Sequence, residues 1–335
     1  MKCPITNKYF ETLYMRNDDN LKRRIDLIST QVYIDYVKER SGLNNLGLVR
    51  NLYKHTVFEG DIDFLTSKAE NINRYINAKR VIEDHRLVNK IEKVYPGTKR
   101  ILKHPLWFML KNPFSEKNTI HNQMRKLNLD VQGYLFKKNI ETSFYERKSW
   151  RGKNTIYYID ALSDIDVLAS FLMIIRESDI TGMWYSYTES KWFALGVFLR
   201  LSYFSPFNVV ADQLYNVIDE FFIGRRNPLA INCKKHFSNE LYLPPPHIKS
   251  IEAMHDKLSN ILQRARNHGL EEIDKRSQLR FLYWVFIFGI DKTYQTLNST
   301  EQNAERQTFI IELMSAYKST SIKKHLPSGH VLTIF

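Results

Sequence analysis

Asn71 and Arg74 have the side chains best suited to reading a nucleic-acid base, because each type can form two hydrogen bonds to a single base edge. They lie three residues apart, so a helix would present them on one face. The polar and basic residues around them are Lys68, Asn73, Lys79 and Arg80. The cations in this set would bind phosphate oxygens. The spacing therefore predicts a nucleic-acid contact on this segment.

A second set of basic residues lies in a predicted β-hairpin over residues 139–162. Alternating patterns at 140–149 and 155–162 flank a turn at 150–154. The basic residues assigned to the tip are Arg147, Lys148, Arg151 and Lys153. The tip resembles the wing of a winged-helix domain, which implies phosphate contacts. The aromatic residues Tyr145, Trp150 and Tyr157 offer faces on which single-stranded bases stack.

Positive charge is concentrated in one quarter of the chain. Residues 71–158 hold 19 Lys and Arg against 7 Asp and Glu, whereas residues 1–70 hold 11 against 10 and residues 159–335 hold 19 against 19. Lys99 and Arg100 belong to the same region and are added to the candidate contacts. Such clustering indicates a polyanionic partner. We expect nucleic acid, with DNA favoured over RNA; the alternative is an adaptor whose basic face binds an acidic protein.

The elements that would position these side chains are predicted to be helices. Ser67 and Glu70 have the spacing of a capping box, and Ile72, Tyr75 and Ile76 form the buried stripe of a helix over 67–77. This stripe turns Asn71 and Arg74 outward. A second short helix is predicted over 83–94, before a Pro-Gly pair at 96–97.

Residues 67–97 resemble the recognition-helix region of phage Cro and repressor-type helix-turn-helix proteins. The positions that carry the resemblance are Ser67, Asn71, Ile72, Asn73, Arg74, Tyr75, Lys79 and Arg80. The resemblance implies DNA binding, and regulation is the role we expect. The sequence departs from the family in two places: eleven residues, 55–65, stand where a tight turn is usual, and Ala78 stands where a Gly is usual. The wider stretch is similar to bacterial proteins without an assigned activity, so we expect a bacterial or mobile-element origin.

An enzymatic alternative is a nuclease-like effector. Asp166, Glu189 and Lys191 have the composition of a metal-dependent nuclease, in which carboxylates hold a cation that activates water. Residues 188–203 have a helical pattern, whereas such a site needs its Glu and Lys on a strand. The histidines lack the spacing of a zinc site, and no phosphate-binding Gly-rich loop is present. No catalytic residue, metal or cofactor is therefore predicted.

The fold class predicted is mainly α, with a basic N-terminal helical region, one β-hairpin and a following α-helical bundle. Residues 1–162 are assigned to nucleic-acid binding, and residues 163–335 to packing, homo-oligomer formation or partner binding. The helices predicted in the second part are 164–177, 188–203, 208–223, 247–267, 277–297 and 300–318. Two cysteines, no secretory leader and no membrane span lead us to expect a cytoplasmic protein.

Overall fold

The structure, a computed structural model, describes residues 18–54, 61–139, 145–148, 159, 165–223, 250–256 and 259. In chain order, the helices of these residues are α1 (Asp18–Ser41), α2 (Asn45–Tyr53), α3 (Ile62–Ile76), α4 (His85–Val94), α5 (Lys99–Leu102), α6 (Pro105–Lys111), α7 (Lys117–Met124), α8 (Leu129–Leu135), α9 (Ile165–Thr181), α10 (Trp184–Ser202) and α11 (Ala211–Ile218). Strands β1 (Phe136–Lys138) and β2 (Tyr145–Arg147) form one antiparallel hairpin. The predicted mainly α class is confirmed.

The chain divides into two compact units. The N-terminal unit contains residues 1–113 and 204–214, and the C-terminal unit contains residues 114–203 and 215–335. The division predicted between residues 162 and 163 follows charge and periodicity, not packing, and it stays a prediction. None of the helices in the described residues is both long and apolar enough to span a membrane.

The N-terminal unit is built around α1. This helix packs against α2, α3, α5 and α6. Its middle turns are buried on every side, and the Thr30 hydroxyl accepts a hydrogen bond from the Ile82 amide at 3.1 Å. The core residues contributed by the neighbouring helices are Leu48, Val49, Leu52, Leu65, Ile72, Tyr75, Val88 and Ile91. This core fixes the rotation of α3 and α4, and therefore which of their side chains face outward.

Helix α3 begins five residues earlier than its predicted start. The Asp61 side chain accepts a hydrogen bond from the Phe64 amide at 3.1 Å and caps the helix. Ser67 is therefore an exposed residue inside the helix, and the predicted capping box with Glu70 is wrong. Asp is as effective an N-cap as Ser, and Leu65 extends the buried stripe toward the N-terminus, so the earlier start buries more apolar surface.

The C-terminal unit contains the hairpin and the helices α9 and α10, which are buried along most of their length. β1 follows α8 directly, and β2 pairs with it in the register Phe136 to Arg147. The first predicted strand, over 140–149, thus contains β2 and pairs with residues 136–138, which precede it in the chain. Three residues are too short a run to show an alternating pattern. The predicted tip at 150–154 and most of the predicted strand at 155–162 lie outside the described residues. The exception is Ile159, which is buried and helical, so the predicted strand is wrong at this residue.

The predicted helices of this half are confirmed as far as the structure describes them. Residues 164–177 and 188–203 correspond to α9 and α10, and residues 208–223 are helical as a 3-10 turn, α11 and a π turn. The helix predicted over 247–267 is seen at 251–256, and those over 277–297 and 300–318 lie outside the described residues.

Candidate nucleic-acid interface

The polar side chains of α3 differ in how far the fold restrains them. Arg74 and Asn73 are exposed, whereas Lys68 and Asn71 are half-buried. The Asn73 side-chain oxygen accepts a hydrogen bond from the Asn45 amide group, which holds it against α2. Among the predicted contacts on α3, Arg74 is therefore the one that is exposed and has no side-chain hydrogen bond with another described residue.

The end of α3 places Lys79 and Arg80 beside it. The Lys79 amide donates to the Arg74 carbonyl at 2.9 Å and the Ala78 amide donates to the Tyr75 carbonyl at 3.2 Å, the two bonds of a Schellman motif. Ala78 adopts a φ of 52°, the left-handed conformation in which this motif normally uses Gly. The chain thus turns sharply, and both cations that follow are exposed.

A cleft of about 220 Å³ opens between α2, α3 and α4, and we call it the α2–α4 cleft. Its apolar lining residues are Val49, Leu52, Ile72 and Leu87, its tyrosines are Tyr53 and Tyr75, and its polar residues are Lys68, Asn71, Arg80 and Asp84. The structure therefore brings three of the sequence-predicted contacts, one lysine, one asparagine and one arginine, to a single cleft.

Aromatic rings support two of the cations near the cleft. The Lys90 ammonium lies 3.8 Å from the centre of the Tyr53 ring, and the Lys68 ammonium lies 5.3 Å from the centre of the Phe64 ring. The Tyr53 and Phe64 rings pack edge to face at 5.4 Å. Ring faces attract cations, so these contacts hold two positive charges beside the opening.

Asp84 is the acidic residue of the cleft. Its carboxylate accepts hydrogen bonds from the amides of Arg86 at 2.8 Å and Leu87 at 3.3 Å, and it caps α4. Burial raises the pKa of Tyr53 and of Tyr75, and the Asp84 charge adds to both rises. Both hydroxyls therefore stay protonated at neutral pH and can donate hydrogen bonds.

Helix α4 presents cations that the sequence prediction missed. Arg86, Asn89 and Lys93 are exposed at helical spacing, and Lys90 lies beside them. The Lys99 ammonium donates to the Asn89 side-chain oxygen at 2.8 Å. The polar residues of this face recur every three or four residues in the sequence, a pattern that indicates an exposed helix face. The predicted contacts were placed on the preceding helix, because that helix carries the resemblance to repressor-type proteins.

The cations between residues 74 and 103 outnumber the carboxylates by nine to three. Two of the three carboxylates, Asp84 and Glu92, accept hydrogen bonds from backbone amides at the starts of helices. The cations that form no ion pair or side-chain hydrogen bond with another described residue are Arg74, Lys79, Arg86, Lys93 and Lys103. Arg100 is also exposed. The segment thus carries positive charge that its own carboxylates do not neutralise.

Arg147 does not have the exposed position predicted for it. Its guanidinium donates to the Glu177 carboxylate at 2.7 Å and to the Leu135 carbonyl at 2.9 Å, and only 10% of its side chain is exposed. The other Glu177 oxygen lies 2.6 Å from the His121 ring. Burial lowers the pKa of Arg147, and the nearby Glu177 charge opposes that change. Arg147 is thus a structural residue that joins the hairpin to α9.

The remaining predicted contacts of the hairpin are only partly described. Lys148 is half-buried, and its ammonium donates to the Gly133 carbonyl. Arg151 and Lys153 lie outside the described residues.

Two residues of the nuclease-like alternative, Asp166 and Lys191, have other contacts within the C-terminal unit. The Asp166 carboxylate is buried and accepts a hydrogen bond from the Asn128 amide at 2.9 Å. Lys191 is a buried residue of α10, with its ammonium 4.3 Å from the centre of the Tyr187 ring. The position of the Glu189 side chain is not described. Among the described residues, no group of three His, Cys, Asp or Glu side chains could hold a metal ion.

Comparison with protein-family models, with curated proteins and with solved structures returned no match. The resemblance of residues 67–97 to repressor-type proteins therefore stays a prediction.

Proposed function

We propose that the chain binds nucleic acid, with DNA favoured over RNA, through the surface of its N-terminal unit formed by α3, α4 and α5. The observation that carries the proposal is the set of five cations between residues 74 and 103 that have no partner among the described residues. Close cations repel one another, and a bound polyanion removes that repulsion while releasing counterions into solution.

The ion pairs of the described residues use other cations. Lys111 pairs with Asp26 in the N-terminal unit, and Arg147 with Glu177 and Arg176 with Asp179 in the C-terminal unit. Asp84 and Glu92, the carboxylates close to the five cations in sequence, bind backbone amides instead, which leaves those cations available for a ligand.

The two principal helices have different roles in the proposal. Helix α3 exposes Arg74, whose guanidinium can form two hydrogen bonds to a guanine edge. Helix α4 exposes Arg86 and Lys93, which suit phosphate oxygens. The resemblance to repressor-type proteins supports the assignment of base reading to α3.

The test is a titration of the full chain with duplex DNA, single-stranded DNA and RNA at several salt concentrations. If the five unpartnered cations each neutralise one phosphate, the logarithm of the affinity for duplex DNA should fall with the logarithm of salt with a slope of about −4.5. A parallel series with Mg²⁺ reports any strand cleavage. If the chain binds none of the three nucleic acids but binds polyglutamate in a salt-dependent manner, the proposal is overturned in favour of the adaptor alternative.

A further inference from the structure

The α2–α4 cleft combines an apolar floor with a polar rim that carries both signs of charge. Leu52 and Ile72 are buried beneath it, and Lys68, Arg80 and Asp84 lie at its sides. We infer that the cleft takes one unpaired nucleobase, with the adjoining phosphates against Lys68 and Arg80. This inference rests on the proposed nucleic-acid binding and adds to it a preference for strands that contain an unpaired base.

The size of the cleft limits what it can hold. Its volume is about 220 Å³. Pockets for drug-sized ligands begin at about 300 Å³. The volume of the cleft therefore suits a ligand smaller than a drug-sized molecule, such as a single ring system.

The chemistry of the lining favours a flat uncharged ring over a bare anion. An apolar floor gives a phosphate ion no hydrogen bonds, and the Asp84 carboxylate would repel it. A nucleobase instead covers the floor with its face and presents amino and ring N–H groups at its edge. Asp84 can accept from such groups, and the Asn71 side chain can both donate and accept.

The ring of Tyr53 provides a wall beside this position. Aromatic rings bind unstacked bases through their faces, and this contact tolerates every base because each has a π-face. Burial raises the pKa of Tyr53, so its hydroxyl stays protonated and adds a donor at neutral pH. The Lys90 ammonium lies over one face of the same ring, 3.8 Å from its centre, so a base would pack on the opposite face with a positive charge close by.

A base with its phosphate could come from a free mononucleotide or from a strand. The charge near the cleft favours the strand, because Lys68 and Arg80 line it, Lys90 lies against its Tyr53 ring, and a single phosphate would not neutralise all three. A duplex with one bulged nucleotide offers an unpaired base and a continuous phosphate backbone together.

The experiment compares two bulged duplexes that differ only at the bulge. One carries a bulged adenine, and the other carries an abasic residue at the same place, so the number of phosphates is equal. We expect the full chain to bind the adenine bulge about tenfold more tightly, since stacking of one base on an aromatic side chain supplies a gain of this order. A mononucleotide, AMP, is titrated as a competitor in parallel.

Two substitutions in the cleft test the assignment without removing a helix cap. Asp84→Asn keeps an N-cap residue of equal quality, and Asn71→Leu replaces a half-buried amide with an apolar group of similar size. The double variant keeps the Tyr53 ring but leaves the edge of a bound base without its hydrogen-bond partners, and this penalty offsets the stacking gain, so the tenfold ratio should fall toward one. Lys93→Ala, on α4 but outside the cleft, is the matched control and should weaken both duplexes alike while preserving the tenfold ratio.

The outcomes separate this inference from the proposed function. Salt-dependent binding of both duplexes with a ratio near one would overturn the cleft assignment and leave the proposed function standing. A tenfold ratio that survives in the double variant would place the base elsewhere and would also overturn it. Tight AMP binding without an advantage for the adenine bulge would make the cleft a mononucleotide site. Failure to bind either duplex would overturn both the proposed function and the inference.

Discussion

Glu92 shows how a carboxylate inside the most basic part of the chain is used for structure. Its two oxygens accept hydrogen bonds from the amides of Gly97 and Lys99, each at 2.7 Å, and from the Thr98 hydroxyl at 3.2 Å. The backbone hydrogen bond from Lys99 is the largest cause that lowers the pKa of Glu92, followed by that from Gly97. The carboxylate thus fixes the turn from α4 into α5.

We expect Glu92→Gln to destabilise the protein by about 1 kcal/mol at neutral pH, because one charged acceptor of backbone amides is lost. Since the pKa of Glu92 is lower in the folded state, its contribution is complete above the ordinary pKa of a glutamate. It is lost as the pH falls through the lowered value. Urea unfolding at pH 7, 5, 4 and 3 should therefore show a difference that shrinks toward acid. A difference that grows on acidification would contradict this.

Ala78 and Gly97 make a matched pair of left-handed residues. Ala78 has a φ of 52° and Gly97 has a φ of 86°. An L-residue pays about 1–2 kcal/mol in this conformation, partly offset by the smaller entropy loss of Ala relative to Gly on folding. Ala78→Gly should therefore stabilise the protein by about 0.5–1 kcal/mol, and Gly97→Ala should destabilise it by a similar amount. Thermal unfolding of both variants provides the measurement, and shifts in the same direction would contradict the expectation.

At the scale of elements, the existence of helices was easier to predict than their ends. The periodicity of α4 predicted its buried stripe, and Val88 and Ile91 are buried as expected. The start of α3 was misplaced because Ser67 has cap chemistry in the wrong position, and sequence alone does not show which of two good caps is used. The pairing of β2 with β1 depends on contacts between short strands that leave no periodic signal.

The α2–α4 cleft was predictable only in part, for a similar reason. Lys68, Asn71 and Arg80 were identified from their types and spacing on and after α3. Tyr53 and Asp84 come from α2 and from the segment before α4, and only tertiary packing brings them to the same cleft. Arg147 shows the opposite case, since its basic side chain gave no indication of the buried Glu177 that pairs with it.

The start of α3 can be tested with two substitutions to Ala, one at each candidate N-cap residue. Asp61→Ala removes the hydrogen bond to the Phe64 amide and should cost about 1 kcal/mol. Ser67→Ala changes an exposed position inside the helix and should leave stability within about 0.5 kcal/mol, because Ala is the better helix former. Chemical unfolding of the two variants compares them directly. A larger loss from Ser67→Ala would restore the later helix start.

At the scale of the whole molecule, the positive charge is not confined to one unit. Residues 74–103 have nine cations and three carboxylates, residues 114–158 of the C-terminal unit have nine cations and four carboxylates, and residues 159–335 are neutral. Total charge and local arrangement make different predictions for binding. If net charge alone attracts a polyanion, every exposed lysine contributes equally; if the N-terminal surface binds it, only the lysines of that surface contribute.

Two triple variants that remove the same charge distinguish these cases. One replaces the exposed N-terminal lysines Lys79, Lys93 and Lys103 by Ala, and the other replaces the exposed C-terminal lysines Lys117, Lys126 and Lys137 by Ala. Each lysine that contacts a phosphate releases about one counterion when the DNA binds. The first variant should therefore flatten the salt slope for duplex DNA by about 2–3 and weaken binding strongly at low salt. The second should retain the slope of the unmodified chain. Both should unfold within about 0.5 kcal/mol of it, because exposed substitutions have small effects. Equal losses in the two variants would show that net charge, and not the surface of α3, α4 and α5, is responsible for the attraction.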